Sequence, residues 1–309
     1  MTEELNAVVQ ESPQELFALA SELAIAGDIS GKLAIYQRIA QHVEASGVDR
    51  FRVAACMLDA VRRDGDAKAA LDGLLALEQP QSIGALAQAE FLMALEQCVF
   101  VVEGPRAAIP WQRKLISLPE FSSAIPPDKQ LYYLETHCEL KVMLGEFDAE
   151  LDRSLASYRE ILERDGDKMS TLARDRQSVL LLHIRGDIGF AQRRESEWVA
   201  QIFADAFAVG PALRNKAFSA ARLIYTCHHS GYSHPLLGQC EEFLRTQVPL
   251  GVFLATDFQQ PMVMPQLLEF VFRSLGIEKP SPLVLLSPPQ NANRTSAAET
   301  GSRKLTADL

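Results

Sequence analysis

Apolar residues recur at helical spacing along most of this chain. Leu33, Ile35, Tyr36, Ile39 and Ala40 form one stripe, and Phe91, Leu92, Leu95, Val99 and Phe100 form another. Such spacing puts the side chains on one face of an α-helix. An apolar stretch of this kind precedes each of seven glycines: Gly27, Gly65, Gly104, Gly145, Gly186, Gly231 and Gly276. Their intervals are 38, 39, 41, 41, 45 and 45 residues. Four positions before them stand Leu23, Val61, Phe100, Lys141, Leu182, Cys227 and Phe272, all apolar except Lys141. Glycine adopts the left-handed conformation that ends a helix tightly and lets the next one fold back. A period of this size predicts an all-α fold, an α-solenoid of about six helical hairpins plus a terminal helix.

The pattern also sets boundaries. Ser12-Pro13-Gln14-Glu15 combines a capping serine, a first-turn proline and a reciprocal glutamate, so a helix starts there and runs to about Ala26. Ser30 opens its partner, which runs to about Ala45. The next pairs are expected at 51–63 with 67–77, and from 84 to Gly104 with an irregular, proline-broken second half. A long loop is expected at 118–128. Then come 129–144 with 149–164, 168–184 with 190–209, 213–229 with 235–248, and a last helix at 265–275. Residues 1–276 therefore read as one helical repeat domain. Residues 277–309 are rich in proline and small polar residues and read as a disordered tail, with Leu283–Leu286 as an apolar island that docks on the solenoid's own end or on a partner.

Composition narrows the functional classes. Of 309 residues 48% are hydrophobic and 7% aromatic, with tryptophan only at 111 and 198. A formal charge of −10 makes nucleic acid a poor partner. The basic pairs Arg62-Arg63 and Arg193-Arg194 stand beside acidic residues and read as solvated faces. Five cysteines without tight spacing (Cys56, Cys98, Cys138, Cys227 and Cys240) argue against a disulfide framework. The acidic start from Met1 has no signal-length apolar core, and no apolar run reaches bilayer length. A cytoplasmic setting is the expectation.

One family resemblance follows from particular residues. Leu16, Leu19, Ala20, Leu23, Gly27, Ile29 and Tyr36 fall at spacings similar to those of tetratricopeptide repeats, and Gly145-Glu146-Phe147-Asp148 and Gly186-Asp187-Ile188 look like the turn of such repeats. The period is longer than the usual one. Lys32 and Glu150 stand where a small alanine normally lets the helices touch. HEAT-type helical repeats have a similar period and remain open. The resemblance to tetratricopeptide-like repeats, loose and spanning about 13–276, implies a right-handed superhelix with a concave groove lined by the first helix of each pair. It implies no enzyme activity.

Candidate chemistry is sparse. Cys227, His228, His229, His234 and Cys240 could supply a tetrahedral zinc site. The spacing fits no standard zinc pattern, though, and the two cysteines fall where a helix faces its core, so no metal is favoured. Phosphate-loop, dinucleotide, HExxH and GxSxG signatures are absent, and no catalytic residue or cofactor is assigned. Glu135 and Glu139 share a helical face and could do acid–base work; a solvated face is the plainer reading. If the first helices line a groove, its polar positions include Glu22, Asp59, Glu96, Glu135, Glu139 and Arg185. That mostly acidic lining favours a basic or amphipathic peptide. The leading expectation is a non-enzymatic scaffold or adaptor. An obligate subunit or assembly factor of a larger complex, and a metal-binding protein at Cys227–Cys240, stay open.

Overall fold

The computed structural model describes residues 11–26, 28–63, 65–249, 252–253 and 263–278. Among them are fourteen α-helices and no strand. They are α1 (Pro13–Ala26), α2 (Ile29–Gln41), α3 (Gly47–Arg63), α4 (Ala67–Ala76), α5 (Ala85–Glu103), α6 (Pro105–Ile116), α7 (Phe121–Ala124), α8 (Pro127–Leu144), α9 (Ala149–Asp165), α10 (Thr171–Ala191), α11 (Ser196–Val209), α12 (Leu213–Ser230), α13 (Leu237–Thr246) and α14 (Val263–Leu275). They pack as sequential pairs: α1 on α2, α3 on α4, α5 on α6, α8 on α9, α10 on α11 and α12 on α13. Neighbouring pairs then join. The second helices α2, α4, α6 and α11 each rest on the first helix of the following pair, while α3 meets α5, α8 meets α10 and α14 rests on α12.

Local chemistry accounts for the helix ends. Glu15 accepts from the Ser12 backbone N–H at 2.7 Å while the Ser12 hydroxyl accepts from the Glu15 N–H at 3.3 Å, the reciprocal box the sequence shows. Ser46 and Asp49 form a second such box, unforeseen, with Asp49 accepting from the Ser46 N–H at 3.0 Å. It starts α3 at Gly47, before the expected residue 51, and α2 correspondingly ends at Gln41 rather than near Ala45. Asp28, rather than Ser30, caps α2, accepting from the Gly31 N–H at 2.8 Å. Five of the seven register glycines have positive φ: Gly65 (103°), Gly104 (90°), Gly145 (69°), Gly231 (70°) and Gly276 (66°). Gly27 and most of 277–309, including Leu283–Leu286, lie outside the described residues.

Gly186 corrects the register. The expected turn at Gly186-Asp187 is absent, because α10 runs through it to Ala191. A Cβ at Gly186 would lie 2.3 Å from Cε1 of Phe203, so this glycine lets α11 approach α10. The turn comes later. The Arg194 N–H donates to the Gly189 carbonyl at 2.9 Å, and Arg193 takes φ 55°, the one non-glycine residue with positive φ among those described. The second helix of this pair accordingly starts at Ser196, not at 190.

The proline-rich region is also more regular than expected. Pro105 fits the first position of α6, which carries Pro110 inside it, and the expected loop at 118–128 holds α7 and the start of α8. Contrary to the expectation that no apolar run reaches bilayer length, α5 is long and apolar enough, by length and composition alone, to cross a bilayer. It is a core helix, with Phe91, Leu92, Leu95, Val99 and Phe100 buried and packed on α3, α4 and α6.

Candidate functional site: charged groups along the first helices

Helices α3, α5, α8, α10 and α12 each open a pair, and their polar side chains meet inside the molecule. On α3, Asp59 receives Arg62 and Arg63, both at 2.8 Å. Arg62 is buried, so the reading of Arg62-Arg63 as a solvated face is corrected: packing of α3 on α5 covers it, and Asp59 neutralises it. Burial opposes ionisation of Asp59, but the two guanidiniums win and hold its carboxyl well below the usual carboxylate range. Further toward the N-terminal ends of these helices, Arg52 of α3 donates to Glu90 of α5 at 2.6 and 3.1 Å, and Lys129 of α8 closes on the same carboxylate. One acid thus ties three first helices together.

Glu96 on α5 and Glu135 and Glu139 on α8 are treated otherwise. Glu96 is 0% exposed; its Oε2 accepts from the Gln97 side chain at 2.8 Å, and its Oε1 has no hydrogen-bond partner. Glu135 is 9% exposed and its Oε2 is likewise unpartnered. Glu139, half-buried one turn further on, lies within electrostatic reach of both. Burial pushes the Glu96 carboxyl up to about 8. Glu135 is raised by burial and then by the charge of Glu139; burial also raises Glu139 itself. The expected solvated face at Glu135 and Glu139 is therefore corrected, since α8 turns these carboxyls into the protein.

The surrounding cations are largely committed. Arg222 of α12 clasps Asp187 of α10 at 3.0 and 3.1 Å, and Arg176 of α10 lies within electrostatic reach of Glu135. Of the groove positions foreseen, the structure brings Asp59, Glu96, Glu135 and Glu139 together. Glu22 and Arg185 are exposed on α1 and α10 and make no ion pair among the described residues. Tyr132, Arg176, Asp187 and Arg222 were missed. The i, i+3 spacing to foreseen neighbours (Tyr132 to Glu135) was the available signal.

Along the same helices the lining becomes aromatic. Asp187 and Arg222 are each followed three positions later by Phe190 and Tyr225, and His229 stacks on both rings with centroids at 5.9 and 4.9 Å. Phe270 of α14 meets Tyr225 edge-on at 5.5 Å and stays partly exposed.

The zinc candidates do not converge. Cys227 and Cys240 are buried in the core formed with Phe207, Phe243 and Leu244, and burial raises the Cys240 thiol to about 12. His228 lies 3.2 Å from Glu241. The His234 ring accepts from the Leu236 N–H at 3.1 Å through Nδ1, which leaves Nε2 to donate to Gln201 at 3.3 Å. Among the described residues no group of three or more His, Cys, Asp or Glu side chains could hold a metal ion.

A buried His183–Ser219 contact at 2.7 Å resembles a catalytic dyad only in composition. The Ser219 hydroxyl donates to the Asn215 carbonyl at 2.8 Å, so the imidazole must donate to it and no base faces the hydroxyl. A cleft of about 600 Å³ opens elsewhere, between α6, α7, α8 and α9. Its Arg113 is bidentate to Glu150 at 2.9 and 2.8 Å, and its Arg164 pairs with Asp165 at 2.7 Å, so these cations are already neutralised. Comparison with protein-family models, curated proteins and solved structures finds no match to this chain.

Proposed function

We propose that this protein is a non-enzymatic protein- or peptide-binding scaffold. In this reading its helix pairs continue as an α-solenoid of tetratricopeptide-like kind, and its first helices line the concave face that takes a basic or amphipathic segment of a partner. One observation carries the reading. The first helices of five successive pairs place their charged residues in a common network, and among the described residues one oxygen of Glu96 and one of Glu135 at its middle have no hydrogen-bond partner. Unpaired buried polar atoms are expensive, and a ligand that pairs with them recovers that loss on binding.

A second reading, an obligate subunit or assembly factor, rests on a different surface. The most exposed large apolar side chains are Val43, Leu75, Trp198 and Val209, on or just after the second helices α2, α4 and α11. On a solenoid these helices form the outer layer, where a neighbouring subunit would cover them.

The test is affinity capture with the intact protein and two variants, read by mass spectrometry. Under the scaffold reading Glu139→Lys releases a salt-sensitive partner while Leu75→Ser with Trp198→Ser retains it. The opposite pattern assigns the protein to a stable complex, and the absence of any specific partner removes both readings.

A further inference from the structure

Resting on the scaffold reading above, we propose that Glu96 of α5 with Glu135 and Glu139 of α8 forms a receptor for one cationic side chain, an arginine or lysine of a partner polypeptide. Helices α5 and α8 both pack on α6, and Glu96 of the one lies within electrostatic reach of Glu139 of the other. Oε2 of Glu135 and Oε1 of Glu96 have no hydrogen-bond partner, although both residues are at least nine-tenths buried. When ionised, these oxygens are acceptors without a protein donor. An ammonium brings three N–H donors and a guanidinium five, with the charge that three clustered acids lack.

The groups around the site make this deficit specific. From α3 it is faced by Asp59 and Arg62, already paired at 2.8 Å, with Arg63 on the same aspartate. From α5 comes the neutral amide of Gln97, and from α8 the Tyr132 phenol, whose own ionisation is suppressed by burial. From α10 and α12 come Asp187 and Arg222, committed to each other, and Arg176, the one cation here without an ion pair among the described residues. The one uncommitted cation is thus within electrostatic reach of Glu135. The aromatic stretch of Phe190, Tyr225 and Phe270 lies one helical turn beyond Asp187 and Arg222, so an apolar residue beside the basic one also finds a surface.

Occupation of this site is linked to pH. Burial holds Glu96 protonated up to about 8, and raises Glu135 and Glu139 in the same direction. A cation binds the ionised carboxylates, so binding expels protons and strengthens as pH rises from 6 toward 8, levelling above.

The experiment selects 12-residue peptides from a random display library on the intact 309-residue protein. Affinities of the selected peptides are then measured by fluorescence anisotropy from pH 6 to 9, each with its basic residue and with citrulline, the neutral isostere of arginine, in its place. The expected peptides carry arginine or lysine beside an aromatic or aliphatic residue. Citrulline weakens them about tenfold or more, Glu135→Gln or Glu139→Gln does the same, and affinity rises with pH. Glutamine copies the protonated acid, so these variants keep the fold, which circular dichroism checks. Peptides whose binding ignores both citrulline and the glutamine variants overturn the cation receptor and leave the scaffold reading standing. A library that yields no peptide overturns both. Binding seen only after removal of residues 279–309, which contain Arg294, Arg303 and Lys304, assigns the site to the chain's own tail and overturns the partner assignment.

Discussion

Helix α8 carries a buried cation and a buried carboxylate six residues apart, and the chain surrounds them differently. Lys141 is 0% exposed, and Glu146, Asp148 and Glu150 meet its Nζ at 2.7, 2.8 and 3.1 Å. Arg113 from α6 then braces Glu150. Glu135 is nearly as buried and receives no donor. Lys141 lies beside the Gly145 turn, so residues just beyond that turn fold back onto it at little cost in chain entropy. Glu135 faces other first helices, where each cation must come from a distant pair and most are already engaged. Local sequence can neutralise a buried charge within a hairpin; between pairs the balance depends on what the neighbours have left over.

The largest expected effect breaks the neutralised side. Lys141→Met removes the cation and leaves three carboxylates facing one another. A stability loss of about 2 kcal/mol is expected, below the value for a fully interior pair because Glu146 and Asp148 keep solvent contact. Thermal unfolding reads it, and an unchanged midpoint would show the cluster to be ornamental. The same cluster has an acid signature. Lys141 holds Asp148 down to about 2, and Arg113 with Lys141 does so for Glu150. Depressed carboxyls stabilise above their unfolded values of 3.8 and 4.5, and that stability is lost as pH falls toward 2. Lys141→Met should flatten this acid limb.

A somewhat smaller effect, of opposite sign in pH, tests the unpaired side. The native chain keeps the Glu96 proton up to about 8, whereas the unfolded chain releases it near 4.5. Its contribution is therefore full below 4.5 and is lost as pH rises through about 8. Glu96→Gln cannot ionise. At pH 9 it should exceed the parent by about 1 kcal/mol, since relaxation and water entry blunt the nominal penalty, with the advantage gone at pH 5. Denaturant unfolding at the two pH values measures this; equal stabilities at pH 9 would mean that Glu96 is not held protonated.

How much of this was legible follows from range. Capping at Ser12 and the glycine helix ends at Gly104, Gly145 and Gly231 are decided within a few residues, and the sequence displays them. Gly186 has the same spacing but serves the approach of Phe203, seventeen positions away, which no local pattern reveals. The polar exception in the register, Lys141, was visible, but its three acids lie across a turn whose geometry was needed to aim them. Asp59, Glu96, Glu135 and Glu139 could be placed on first helices by periodicity alone. Which of them would find a cation depended on Arg62, Arg63, Arg176 and Arg222, and only Asp59 shares a helix with its cations. Arg62-Arg63 looked like surface because charge is usually solvated, a tendency that burial between α3 and α5 overrode.

The smallest expected effect on stability is at Glu139, and it sharpens the comparison most. Glu139 is only half-buried and has Arg222 nearby, so Glu139→Gln should change stability by no more than about 0.5 kcal/mol. Its effect on Glu135 is larger in kind. Burial raises the Glu135 carboxyl first and the Glu139 charge raises it next. Removing that charge should move the Glu135 titration down, toward but not reaching 4.5, because the burial remains. Carbon-13 NMR of the glutamate carboxyls follows it directly. A Glu135 titration that does not move would mean that the two acids do not share a site, and the contrast with Lys141 would reduce to one isolated buried glutamate. A downward shift means that the acids on α8 repel one another, a repulsion that an incoming cation relieves.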